Sequence, residues 1–558
     1  MKKIILLTSA LCAGIWYTGF AQFQQGVGDS LNQRAQSVQQ VSGGYLTGGL
    51  YRPGPLGLID ANLTRTDFNG NTLWTTVIGG VDEDAFTSVR EVNVPGTTIQ
   101  FIAAGYTDSF GFGNDDMYLV GVNGAGFPVF SRVYGGSALD QAHCLQRIIN
   151  PNQQPGYALI GETRSFPNLI PDANIYIVRT ALNGNSLDQV VIGTPGKDIG
   201  YWIEQTQDGG YLITGTTTYR CANDTISNGN IFVARLDPFM NLLWDRIIAG
   251  PGSGTDIGFC VRENPLDQTV IVTGSTTSFG NGTESFLLNL SAAGTFNWMK
   301  VYGLKRIESG QNVLLTRGMN DKPQYIVSGY SNSYDSLGNF DPMIYKTDLM
   351  GNLLVTGIYG GPSNDYGFEI DEAPGFANLP NYILTGINQS FTNGATDILL
   401  LETTNSLQSI SPCEIFPNQL ERRVQPCIIK GARYVHLNPW MAVTSGFMQL
   451  NYNEVSCTTP APWYSQSVPS PGLTPRPVVP STITVGPNPV TSLAELITDT
   501  SYAGSKLAVV DSNGTVVYTA TLSGTSDSMD LSDLAPGLYV ARIMKPDGSV
   551  ISIRVVKK

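Results

Sequence analysis

Histidine occurs only twice in 558 residues, at His143 and His436, and neither has a metal-binding partner at helical spacing. No G-x-S-x-G elbow, phosphate-binding loop or dinucleotide fingerprint occurs, so both histidines read as structural. Charge is also scarce. Asp, Glu, Lys and Arg make up 14% of the chain, against about 25% in a typical soluble protein. No run or stripe of Lys and Arg interrupts the net charge of −13. That excludes a nucleic-acid partner, because phosphate binding needs clustered cations. After the N-terminus no apolar run approaches the ~20 residues of a membrane helix, so the mature chain has no transmembrane span. Helical periodicity is hard to find. What is abundant is glycine (62 residues), with Ser, Thr and Asn, around short apolar runs. That is an all-β pattern.

The N-terminus, MKKIILLTSALCAGIWYTGFAQ, has a basic start, an apolar stretch from Ile4 to Trp16, and small residues at Gly19 and Ala21. It reads as a Sec signal peptide spanning residues 1–21. A lipoprotein signal using Cys12 fits less well, since the apolar run continues past that cysteine. Six cysteines remain, none in a C-x-x-C pair. Cys144 and Cys260 share one place in two repeats and read as buried thiols. Cys221, Cys413, Cys427 and Cys457 lie outside the regular strands and are disulfide candidates, in any of three pairings.

The stretch DGGYLITGTT (Asp208 to Thr217) has looser copies along residues 22–406. Its glycine recurs at Gly49, Gly105, Gly161, Gly215, Gly274, Gly329 and Gly386, spaced 54 to 59 residues apart. A second marker, the turn in TDFNGNTLW (Thr66 to Trp74), recurs in the same register. Each unit then reads as four short strands, the spacing of a propeller blade. The seventh unit lacks its fourth strand, and the segment at Phe23 resembles one. These features predict a seven-bladed β-propeller closed by its N-terminal strand, with six or eight blades if one unit is miscounted. Joining the ends hides two sheet edges. GGSALDQAHCLQRI and GYALIGETRS resemble the propeller repeats of secreted bacterial proteins, a likeness that implies architecture and no active site.

Residues 407–457 depart from the period and read as an irregular extension packed on the propeller. Residues 458–480 are rich in Pro and Ser and read as a linker. Residues 481–558 read as a small β-sandwich with hairpin turns at DSNG and KPDGS. VGPNPV (Val485 to Val490), VVDSNGTVV, DLSDLAPGLYVARI and the basic terminus resemble the type A C-terminal sorting domain of the type IX secretion system of Bacteroidota. The resemblance carries a sorting role onto Pro487, Asn488, Pro489, Gly537, Leu538 and Tyr539. It implies Sec and the type IX machinery as partners, with a final location at the cell surface or outside the cell.

Candidate chemistry is thin. An acid opens the first strand of most blades: Asp84, Asp140, Asp198, Asp256, Glu308 and Asp365. Such recurrence favours a structural tie between loop and strand. Structural Ca2+ is the rival reading, and no other cofactor is expected. Function more often sits where a repeat breaks its own rule. Just after the apolar residue of the first strand stand Arg90, Glu204, Arg262 and Asp371, channel-lining candidates that either recognise a polar ligand or pair with each other. The expected role is binding or adhesion to a glycan, protein or polymer, without catalytic residues. The alternatives are a carbohydrate-cleaving enzyme using Glu204 and Asp371, or a structural component of a surface layer or motility apparatus.

Overall fold

The computed structural model describes residues 23–444 and 484–557, apart from short segments between strands, the longest in the propeller being 53–58, 167–172 and 220–227. Residues 1–22, which include the expected signal peptide, Cys221, Cys413, Cys457, the expected linker at 458–480 and Pro487 to Pro489 lie outside the described residues.

Seven antiparallel sheets follow one another, each a four-strand meander. The first comprises Asn32–Val41, Gly44–Arg52, Asp60–Thr66 and Thr72–Ile78. Third strands such as Asp116–Val122 and Asn230–Leu236 are buried at every residue. Their continuous apolar runs follow from sheets covered on both faces by neighbouring blades. In three blades the turn that opens the fourth strand is built by an aspartate. Asp67, Asp237 and Asp348 each accept N–H bonds from the residues two and four further on, at 2.8–2.9 Å. Gly70 and Gly351 sit in these turns at φ 80° and 75°, which explains the recurring D-x-x-G.

The ring closes as expected. Gln24–Val27 pairs with Ile398 to Leu401 and becomes the outer strand of the seventh blade. Phe23 and Val27 are buried there against Tyr45, Ile383 and Leu400. Each such side chain contributes about 1.5–3 kcal/mol by leaving water.

The segment after the propeller is more regular than its sequence suggests. Leu420–Val424 adds a fifth strand to the fifth blade, Cys427–Ile429 to the fourth, Arg433–Leu437 to the third, and Val443–Thr444 to the second. The chain thus runs back around the rim as a strap, pairing outer edges in reverse order. Covering exposed edges removes sites for unwanted strand pairing. Arg422 reaches back to the buried carboxylate of Glu284 with two bonds of 2.7 Å. Cys427 is exposed on this strap and unbonded among the described residues, its candidate partners Cys221, Cys413 and Cys457 lying outside them.

The C-terminal region forms two sheets, of three and four strands. Leu496 and Met529 from one share a core with Leu507, Val509, Ala541 and Ile543 from the other. This is the expected sandwich. Tyr539 is buried, and its hydroxyl donates to the Ala535 carbonyl at 2.9 Å. Gly537 and Leu538 lie with it on the strand Gly537–Met544.

Candidate functional site

The repeat's glycine shapes the centre of the molecule. A Cβ on Gly215 would lie 1.9 Å from the Ile199 carbonyl oxygen of the neighbouring first strand, and at the six equivalent glycines the gap is 1.7–1.9 Å. No side chain fits there. Beside each of these glycines the first strand carries one extra residue, as between Gly200 and Trp202, Ala142 and Cys144, and Gly258 and Cys260. The other four blades repeat the irregularity. A bulge of this kind re-aims a side chain.

The seven bulge residues are Gln36, Thr87, His143, Tyr201, Phe259, Gln311 and Phe368. All seven line a single cup of about 290 Å3 at the centre of the ring, with Trp202, Asn312 and Glu369 among its other lining residues. The volume lies at the lower end for small-molecule sites. Rings from three successive blades form an arc: His143 and Tyr201, then Tyr201 and Phe259, each pair with centroids 5.2 Å apart. Burial pushes the pKa of His143 down to about 4, helped by the Lys197 charge, so its imidazole is neutral.

Each of the charged candidates read from the sequence is held by a partner, and one pair of them by each other. Arg90 bonds Glu369 at 3.0 Å, and Arg262 bonds Glu204 at 2.7 Å. Both guanidinium carbons lie over the Trp202 ring, 5.7 and 4.6 Å from its centroid. Arg90 belongs to the second blade, Trp202 to the fourth and Arg262 to the fifth, so this cluster ties blades that are not all neighbours. Asp371 accepts N–H bonds from Gln40 and Glu372, each 2.9 Å. Burial raises its pKa to about 6. None of Arg90, Glu204, Arg262 and Asp371 lines the cup.

The recurring acids act as latches. Asp84 accepts from the Gly80 N–H at 2.7 Å and the Ser109 hydroxyl at 2.8 Å. Asp140 does so with Gly136 and Ser165, and Asp256 with Gly250 and Ser278. The turn before the first strand is thereby tied to the end of the second. Among the described residues no group of three or more His, Cys, Asp or Glu is placed to hold a metal ion.

Burial raises the pKa of these latches, that of Asp84 to about 6, with Asp140, Asp256, Glu308 and Asp365 also raised. Their folded pKa values exceed the unfolded ones. Their contribution to stability is therefore full below the unfolded carboxylate pKa and is lost as pH rises through the folded value. His143 works in the opposite sense, costing stability as pH falls below its unfolded value of about 6.5. Several carboxyls outweigh one imidazole. The thermal midpoint should be higher near pH 5 than near pH 8, and the reverse order in a calorimetric series would contradict this account.

Residues 484–558 match the secretion system C-terminal sorting domain family. The chain is thus type IX secretion cargo, sent to the cell surface or the extracellular space. No curated protein matches the chain. Among solved structures, two of Sqt1 from Chaetomium thermophilum align with it. One has 9% identity and a TM-score of 0.38, covering 69% of this chain and 99% of that one. The other has 11% and 0.34, covering 69% and 97%. PorZ, described as an essential surface component of the type IX secretion system of Porphyromonas gingivalis, aligns at 8% identity and a TM-score of 0.16, covering 96% and 100%. At these scores none bears on the role of the cup.

Proposed function

We propose that this exported propeller is a binding protein whose ligand seat is the axial cup. The observation that carries the reading is the ring of bulges. All seven blades deliver one side chain to the same small space, and those seven side chains are of five kinds, with only Gln and Phe used twice. The latches and the glycines recur because they build the ring, while the bulge positions vary as a recognition surface does. Cell-surface or extracellular delivery suits a protein that engages a glycan, another protein or a polymer outside the cell. The carbohydrate-cleaving alternative is weaker, because Glu204 is held by Arg262 and Asp371 by two backbone N–H groups, away from the cup.

A thermal-shift screen of the full chain against oligosaccharides, peptides and small metabolites tests this reading. Hits should disappear in the double variant Tyr201→Ala/Phe259→Ala, whose side chains are half-buried and whose loss leaves the blade core in place. Hits that survive the double substitution would move binding elsewhere on the molecule, and a screen without hits would remove support for the cup.

A further inference from the structure

We infer that the axial cup receives an uncharged sugar ring of a neutral glycan. This rests on the reading of the cup as the ligand seat and adds the chemical class. Three features of the cup converge on it.

One side is an aromatic wall. Tyr201 and Phe259 are only half-buried, and with His143 they form a continuous surface across the third to fifth blades. Such a wall takes up the apolar C–H face of a pyranose as it would any flat apolar group. The other side mixes two amides with the half-buried ring of Phe368, which the seventh blade sets between them. Gln36 of the first blade is exposed, and Gln311 of the sixth is half-buried with its amide nitrogen committed to the Ser309 hydroxyl at 2.7 Å. Its carbonyl oxygen stays available as an acceptor, and Gln36 offers both a donor and an acceptor.

The deeper lining is unsatisfied. Asn312 is 1% exposed, yet neither its amide oxygen nor its amide nitrogen has a hydrogen-bond partner. Trp202 Nε1 and His143 Nε2 are likewise buried and unpartnered. A buried polar atom left unpaired keeps its full desolvation cost. Three such side chains around one cavity ask for a ligand with both donors and acceptors. Trp202 supplies only a donor, Asn312 supplies both, and hydroxyl groups answer all of them.

Charge narrows the class further. The arginines nearest the cup are neutralised by Glu369 and Glu204, and the imidazole is neutral. A carboxylate, sulfate or phosphate would meet no free cation there and would pay its full desolvation. A wholly apolar ligand would leave Asn312 and Trp202 unsatisfied. A molecule with apolar faces and an equatorial rim of hydroxyls meets both conditions.

Calorimetric titration of the full chain tests the inference, with maltotriose, cellotriose, mannotriose and chitotriose beside tri-galacturonate and indole. At least one neutral trisaccharide should bind. Its affinity should fall by about tenfold, or ~1.4 kcal/mol, in Tyr201→Ala, and should also weaken in Gln36→Ala, an exposed change that leaves the core intact. Raising the salt concentration should leave it unchanged, since no ion pair is formed. If tri-galacturonate or indole binds in a Tyr201-dependent way while no neutral sugar does, the sugar class is overturned and the cup remains the ligand seat. If no probe binds, or binding ignores both substitutions, the inference and the underlying reading fall together.

Discussion

Removing residues 481–558 is expected to stop the protein in the periplasm, in an all-or-none change of location. The matched family spans 484–558, and the core of that region draws only on residues between Leu496 and Val555. Its removal takes no side chain from the propeller's own hydrophobic clusters, which use residues up to Leu407 with Val424, Ile428 and Ile429 of the strap packed against them. The truncated chain should therefore fold and stay soluble. Fractionation with an antibody against the propeller reads the outcome: surface or medium for the full chain, periplasm for the truncated one. A protease-resistant truncated propeller at the surface would sink the sorting role. A substitution inside the domain separates sorting from mere length. Tyr539→Ala opens a cavity in a small core, at about 3–5 kcal/mol for a buried aromatic, and should mimic the truncation. The domain is small enough that such a loss approaches its whole stability.

The propeller itself was legible because its signals are local and repeated. A glycine every 54 to 59 residues and a tight turn in constant register, with Asp at its head in three blades, define the blade. The missing fourth strand of the last unit pointed to Phe23 as the start of its replacement, and Gln24–Val27 fills that edge. The strap was not legible. Strands such as Cys427–Ile429 and Val443–Thr444 are two or three residues long. They take their register from the outer strand of each blade, so no period marks them in their own sequence. Read alone, residues 420–444 are a run of unrelated short segments.

The channel candidates miss the cup for a definite physical reason. Side chains alternate along a strand, so facing can be counted from any fixed point. The bulge inserts one residue and reverses that count. Arg90, Glu204, Arg262 and Asp371 each lie three residues beyond a bulge residue on the same repeated strand. The signal that finds the cup is the position just after the small residue of the first strand: Gln36 after Ala35, His143 after Ala142, Tyr201 after Gly200, Phe259 after Gly258, Gln311 after Gly310. Its identity changes from one blade to the next, while the residue before it is Ala or Gly in every blade but the second, where Phe86 precedes Thr87. That is the rule-breaking position the repeat itself exposes.

Gly215→Ala should unfold the fourth blade's inner half and empty the cup of its aromatic wall. The added carbon would stand 1.9 Å from the Ile199 carbonyl oxygen and 3.0 Å from the Gly200 Cα, both backbone atoms that cannot rotate away. The two strands must part by more than an ångström, which breaks ladder bonds between Ile199 and Thr216 and shifts the bulge that carries Tyr201. Overpacking of a rigid core costs about 1–3 kcal/mol and more where backbone blocks the way, so a loss of about 3 kcal/mol or greater is expected. Gly96→Ala provides the contrast. Its added carbon meets nothing within 4 Å, and only the left-handed backbone is strained, at about 1–2 kcal/mol. Urea unfolding of the two variants should therefore separate them clearly, and ligand retention by the Gly96 variant with loss in the Gly215 variant should follow the same order. Equal midpoints would mean that the first strand can straighten without its bulge. In that case the recurring glycine would have to be explained by something other than the seven side chains it lets into the cup.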